Sequence, residues 1–139
     1  MTSTSISDAE YRMLAMFRRE LRLFMQFSED VAVKAGLTAQ HYQALLTIRA
    51  APEAQMLVGE LAEQLLIRPN SATELVDRLE ALQLVERNAA QNDRRQVRVV
   101  LTESANKLLQ SLAAMHRDEL QRLGPLLTDL LTRLSPDAC

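Results

Sequence analysis

Apolar positions recur along this chain with two different periods. Between Asp8 and Lys34 the residues Tyr11, Leu14, Phe17, Leu21, Phe24, Met25 and Val31 return every three or four positions, which predicts a helix. Ser7 and Glu10 form a capping box at its start, and Gly36 suits the left-handed residue just past its end. At about 27 residues this helix is long for a small domain, and its apolar residues spread over more than one face. A partner chain covering the surplus is the economical explanation. Thr38 caps a second helix carrying Tyr42, Leu45, Leu46 and Ile48, which Pro52 brings to a close.

From Gly59 onward the helical period is interrupted by a tight turn. Leu61, Ala62 and Leu65 share one face of a short helix, and Pro69 suits the first turn of the next, where its missing N–H costs nothing. Ala72, Leu75, Val76, Leu79 and Leu82 mark the apolar stripe of that helix. Its other face shows Asn70, Ser71, Thr73, Glu74, Asp77 and Arg78. Two short helices of this kind describe a helix-turn-helix. The period then falls to two in Leu84-Val85-Glu86-Arg87 and again in Gln96 to Leu101, joined by a polar loop carrying Arg94 and Arg95. This is a β-hairpin, and Met56-Leu57-Val58 is a candidate third strand beside it.

Thr102 caps another long helix with Ala105, Leu108, Leu109, Leu112, Met115, His116, Leu120 and Leu123 on one stripe. Gly124-Pro125 is expected to break it. A last Leu-rich helix (Leu126, Leu127, Leu130, Leu131, Leu134) would then stop at Ser135-Pro136, too short to stand alone. The expected fold is therefore mainly α (α+β). A winged helix-turn-helix over residues 38–102 joins a three-helix region built from 7–35 and 103–135, all in one domain over 1–139.

Composition narrows the class. At 139 residues and 47% hydrophobic, with 3 Gly and 4 Pro, the chain is suited to one ordered, mostly helical domain. No apolar run approaches the ~20 residues that span a bilayer, so no membrane association is expected. The stretch MTSTSISDAE lacks a basic flank and an apolar core, so no signal peptide is expected. The single cysteine, Cys139, excludes an intramolecular disulfide and multi-cysteine metal sites, which fits a reducing cytoplasm. His41 and His116, 75 positions apart, suit structural roles better than metal ligation. No catalytic set or Gly-rich phosphate loop is present, so neither an enzyme nor a cofactor is expected.

The net charge is −2, and from Val58 to Leu101 six Arg face seven acids. Bulk charge does not advertise a polyanion partner; placement must. Asn70, Ser71 and Thr73 sit beside a positive helix N-terminus, suited to phosphate oxygens or base edges. Arg68 and Arg78 flank them as phosphate clamps. Glu74 stands on the same face, able to accept from cytosine N4 or to pair with Arg78 one turn on.

The run LVDRLEALQLVER followed by NDRRQVRVVLT resembles the winged-helix core of the MarR family of bacterial transcription regulators, and the flanking helices fit that layout. The resemblance implies a homodimer whose terminal helices interlock. It would bind double-stranded DNA at a pseudo-palindromic operator, most simply as a repressor. Within Asp93-Arg94-Arg95 it implies that one arginine enters the minor groove while the aspartate holds an arginine in place. It also implies a cleft for a small aromatic or phenolic anion, with Arg18, Arg22, His41, Tyr42 and Arg49 as candidate ligands. Arg19 adds to the cluster on the first helix. The chain departs from the family pattern at Gln83 and Leu66, both frequent glycine positions, and at Glu74, often basic or neutral. Glu74 and the acidic balance also suit a different reading, a winged-helix protein–protein module that no longer binds DNA.

Overall fold

The computed structural model describes residues 4–90 and 93–134, the side chains of 90 and 93–95 excepted. Cys139 and the Ser135-Pro136 stop lie outside the described residues. The elements are α1 (Asp8–Lys34), α2 (Ala39–Ala50), β1 (Gln55–Leu57), α3 (Val58–Leu65), α4 (Pro69–Ala81), β2 (Val85–Ala90), β3 (Asp93–Leu101) and α5 (Glu103–Leu134). The strands form one antiparallel sheet in the order β1-β3-β2. No helix among the described residues is long and apolar enough to cross a membrane.

The helix starts follow the expected side-chain chemistry. The Ser7 N–H donates to Glu10 Oε1 and the Glu10 N–H to Ser7 Oγ, each at 3.1 Å. Thr102 Oγ1 accepts the Ala105 N–H at 3.2 Å to open α5. Gly36 closes α1 at φ +79°, where a side chain would be strained.

One compact unit comprises Ala32–Ala114 and holds the winged helix. Its core is Leu45 and Ile48 of α2, Leu61 of α3, Leu75, Val76 and Leu79 of α4, Val85 of β2 and Val99 of β3, all essentially without solvent contact. Leu82, expected on the apolar stripe of α4, is instead half exposed as the helix's C-cap residue. Leu84 turns into the core in its place.

The other unit comprises Met1–Val31 and Met115–Cys139. Its two buried polar groups, Ser28 and His116, satisfy each other, with His116 Nε2 and Ser28 Oγ 2.9 Å apart. The imidazole also lies edge-on to Phe24 and Phe27, at centroid distances of 6.0 and 5.5 Å. His116 is thus a structural histidine.

The expected break at Gly124-Pro125 does not occur. α5 runs unbroken through Pro125, so the terminal region holds two helices rather than three. A proline inside a helix costs about 3 kcal/mol through a missing hydrogen bond and a clash with the carbonyl four residues back. Here Pro125 and Gln121, whose carbonyl has no N–H to accept, both sit on the exposed side, where water can serve that oxygen. Leu123 and Leu130, only 3% exposed, hold the helix on both sides of the proline.

Glu53 and Ala54, after α2, reach left-handed backbone without glycine, and so do the two turns that flank α4. Leu66, between α3 and α4, has φ +58°, and Gln83, after α4, has φ +61°. A non-glycine residue pays about 1–2 kcal/mol there, whereas glycine pays about 0.5–1 kcal/mol in chain entropy. Leu66→Gly and Gln83→Gly are each expected to raise stability by about 0.5–1 kcal/mol in urea unfolding. Unchanged or lower midpoints would show that these backbones are not strained.

Candidate nucleic-acid interface

The second helix of the helix-turn-helix, α4, is seated by Ala72, Leu75, Val76 and Leu79. That burial turns Asn70, Ser71, Thr73, Glu74, Asp77 and Arg78 outward, and all six are exposed. Arg68 is exposed at the N-cap position. The Thr73 hydroxyl donates to the Pro69 carbonyl at 3.1 Å and so offers a partner only its lone pairs. Glu74 and Arg78 approach to 3.9 Å as an i, i+4 pair with both side chains more than 60% exposed. A pair that exposed contributes at most a few tenths of a kcal/mol.

On this face, α4 is tied to the wing by a residue that amphipathic spacing does not single out. Arg87, on β2, donates from Nη2 to Asp77 Oδ1 at 2.5 Å and from Nη1 to Glu80 Oε1 at 2.9 Å. Its side chain is 26% exposed, against 61% and 46% for the two acids. The end of α4 is held as well. Thr102 Oγ1 donates to the Gln83 carbonyl at 2.8 Å while accepting from Ala105, so one hydroxyl serves the exit of α4 and the start of α5.

The hairpin differs from expectation at its tip. Asp93, Arg94 and Arg95 belong to strand β3 rather than to the loop, with Ala90 opposite Asp93 and a bulge between Ala89 and Ala90. Period-two patterning hid this, because the polar DRR run carries no apolar alternation. The side chains of these three residues lie outside the described ones.

The five candidate ligand residues serve different ends. Arg18 and Arg22 lie on α1 in the terminal-helix unit; His41, Tyr42 and Arg49 lie on α2 in the winged-helix unit. Tyr42 is core, 6% exposed, and burial pushes its phenol pKa up. His41 completes a capping box: its Nδ1 accepts the Thr38 N–H at 3.2 Å while Thr38 Oγ1 accepts its own N–H at 3.1 Å. Arg49 lines an open groove of about 710 Å³ with Leu46, Asn106, Leu109 and Gln110 among its walls.

An imidazole accepting at Nδ1 is neutral. Partial burial and then the nearby Arg78 charge hold the His41 pKa below its ordinary value. The neutral form is therefore favoured on folding. Its stabilising contribution is complete above about pH 6.5 and is lost as pH falls through the lower folded-state value. His41→Gln keeps an acceptor at this capping position without the titration. The variant is expected to lose less melting temperature than the parent between pH 7 and pH 5. Equal losses would remove His41 from the acid response.

A model of the MarR family matches residues 35–96, which span α2, the helix-turn-helix and the start of β3. The transcriptional regulator AbsC from Streptomyces coelicolor matches over 98% of this chain and 96% of its own, at 25% identity and a TM-score of 0.76. Residues 35–96 are thus MarR-like in sequence, and the fold of the whole chain matches that of a MarR-family regulator. Members of this family are transcriptional regulators, not enzymes. Sco3205 from the same organism, solved in complex with DNA, is 19% identical (98% and 94% covered, TM-score 0.68). A mutant MarR from Escherichia coli complexed with operator DNA is 23% identical (94% and 86% covered, TM-score 0.60). Comparison with curated proteins gives no match. Both positions where the MarR family often has glycine, Leu66 and Gln83, keep the left-handed conformation that glycine would take freely.

Proposed function

We propose that this MarR-family DNA-binding transcriptional regulator acts as a homodimeric repressor on a pseudo-palindromic operator. The observation that carries the reading is the exposed α4 face, which offers Arg68, Asn70, Ser71, Thr73 and Arg78 from a rigidly seated helix of major-groove dimensions. Glu74 borders the same surface, and the resemblance to the MarR family adds Asp93, Arg94 and Arg95 of the wing to the reading.

Dimerisation is supported by the terminal-helix unit. Tyr11, Met25 and Leu131 are each 56–61% exposed, and Leu14, Met16, Leu21, Leu23, Met115 and Leu120 stand at 44–48%. So much apolar surface on two helices calls for a partner, and a second copy supplies it symmetrically. Sedimentation at micromolar concentration is expected to give twice 15.7 kDa. A species of 15.7 kDa alone would overturn the dimer.

Release by a small aromatic carboxylate or phenolic anion completes the proposal. Arg49, with the amides of Asn106 and Gln110 and the aliphatic walls of its groove, offers donors to such an anion, and Glu53 lines the same groove. A cytoplasmic location goes with this role.

A second reading is favoured by one observation: α4 carries Glu74, Asp77 and Glu80 against Arg78 alone. A winged-helix module that binds protein rather than DNA would tolerate that balance. Salt-dependent retention on duplex DNA separates the two, since only the regulator is retained at low salt and released at high salt.

A further inference from the structure

The recognition helix of a DNA-binding protein faces phosphates, yet the charge on α4 is of the wrong sign. Asp77 lies two helical turns from Asn70, one from Thr73 and Glu74 and one from Ala81, so it stands in the middle of the outward face rather than at its edge. Glu80 flanks it, and the helix itself supplies only Arg78, which already lies against Glu74. Taken alone, the helix presents three carboxylates and one cation.

The structure supplies the missing charge from the next element. Arg87 reaches back from β2 and spans Asp77 and Glu80 with its two terminal nitrogens, at 2.5 and 2.9 Å. A guanidinium can do this because its planar fork offers separate donors to two acceptors. Arg87 is the least exposed member of the triad, and its donors are turned to the carboxylates.

We propose that Arg87 is a positioning residue for DNA binding: by holding Asp77 and Glu80 on one guanidinium it neutralises the centre of the recognition face. It also sets the angle between α4 and the wing. This inference rests on the DNA-binding reading above. It explains how an acidic recognition helix works in a chain of net charge −2. It also separates the acids by role, since Asp77 and Glu80 are shielded whereas Glu74 remains exposed beside Arg78.

The test compares binding to random-sequence duplex DNA by the full-length parent and four variants, at about 50 mM and about 200 mM salt, with melting temperatures alongside. Arg87→Gln is expected to weaken binding roughly tenfold at the lower salt, and by less at the higher, because unshielded charges are screened by salt. Adding Asp77→Asn and Glu80→Gln to Arg87→Gln is expected to restore binding to the parent's level or above, since no acid is left to shield. Asp77→Asn with Glu80→Gln, Arg87 intact, is expected to bind several-fold more tightly than the parent. Arg87→Lys keeps the charge but cannot span both carboxylates, and is expected to lie between parent and Arg87→Gln.

An Arg87→Gln variant that binds as the parent does would overturn the inference. So would a triple variant, folded by its melting curve, that binds no better than Arg87→Gln, because Arg87 would then act by touching DNA or by fold alone. A triple variant that fails to fold would also overturn it, showing that the triad serves stability first. A parent that does not bind DNA at either salt concentration would instead overturn the DNA-binding reading itself.

Discussion

Leu79→Ala is expected to cost about 2–5 kcal/mol of stability and most of the protein's DNA affinity with it. Leu79 has no solvent contact and lies under the outward face of α4, among Leu75, Val76 and Leu61 of the same core. Its carbonyl also accepts the Leu84 N–H at 2.9 Å, where the chain turns from α4 into the wing. Truncation removes the buried methyls and leaves a cavity that helices pinned by Arg87 and Thr102 cannot fully close. Globular domains hold only about 5–15 kcal/mol in all, so the loss is a large share of the total. Leu82→Ala, nearby on the same stripe but 48% exposed, is expected to change stability by no more than about 0.5 kcal/mol. Urea unfolding of the two variants checks both numbers, and equal losses would contradict a core that contains Leu79 and leaves out Leu82.

The second large effect lies in the wing. Arg94→Ala combined with Arg95→Ala is expected to weaken operator and non-specific DNA binding together. Removing a charge-assisted hydrogen bond costs about 1.5–3 kcal/mol, roughly tenfold to 150-fold in affinity for each one. The slope of log affinity against log salt is expected to fall by about one unit for each phosphate no longer neutralised. Fluorescence anisotropy titrations over a range of salt concentrations read both quantities. Curves that superimpose on the parent's at every salt concentration would leave the wing without a role. Asp93→Ala is expected to act in the same direction more weakly, as the proposed role of the aspartate is to position an arginine rather than to supply its charge.

Much of the architecture could be read from residue patterns because local and global preferences agree. Ser7, Thr38 and Thr102 cap the helices that their positions announce, and the change of period after Leu84 places the hairpin. Where sequence and structure differ, a tertiary term outweighs a local one. Pro125 has a strong local preference for ending a helix, but burial of Leu123 and Leu130 on one stripe outweighs it, at a position whose freed carbonyl faces water. Leu82 has the right spacing for the core, yet the turn at Gln83 carries it outward and brings Leu84 in.

The interface divides in the same way. Amphipathic spacing alone identifies the outward residues of α4, since whatever is not buried against the core must face away. Spacing cannot show that Arg87, ten positions from Asp77, folds back onto the helix, because that depends on how β2 leaves the turn. Nor can it show that His41 serves Thr38: a histidine in the place of the usual Glu or Gln completes the capping box only because its Nδ1 reaches the same N–H. The left-handed turns at Leu66 and Gln83 are hidden for the converse reason, since neither residue type announces a positive φ.

Selection of bound fragments from a random duplex DNA library by the purified protein shows whether a homodimer reads DNA through α4 and the wing. A homodimeric regulator reading DNA through α4 and the wing is expected to enrich an inverted repeat whose half-sites lie about one helical turn, ~34 Å, apart. A library returned without any enriched motif, or one enriched only in a single unrepeated site, would contradict it.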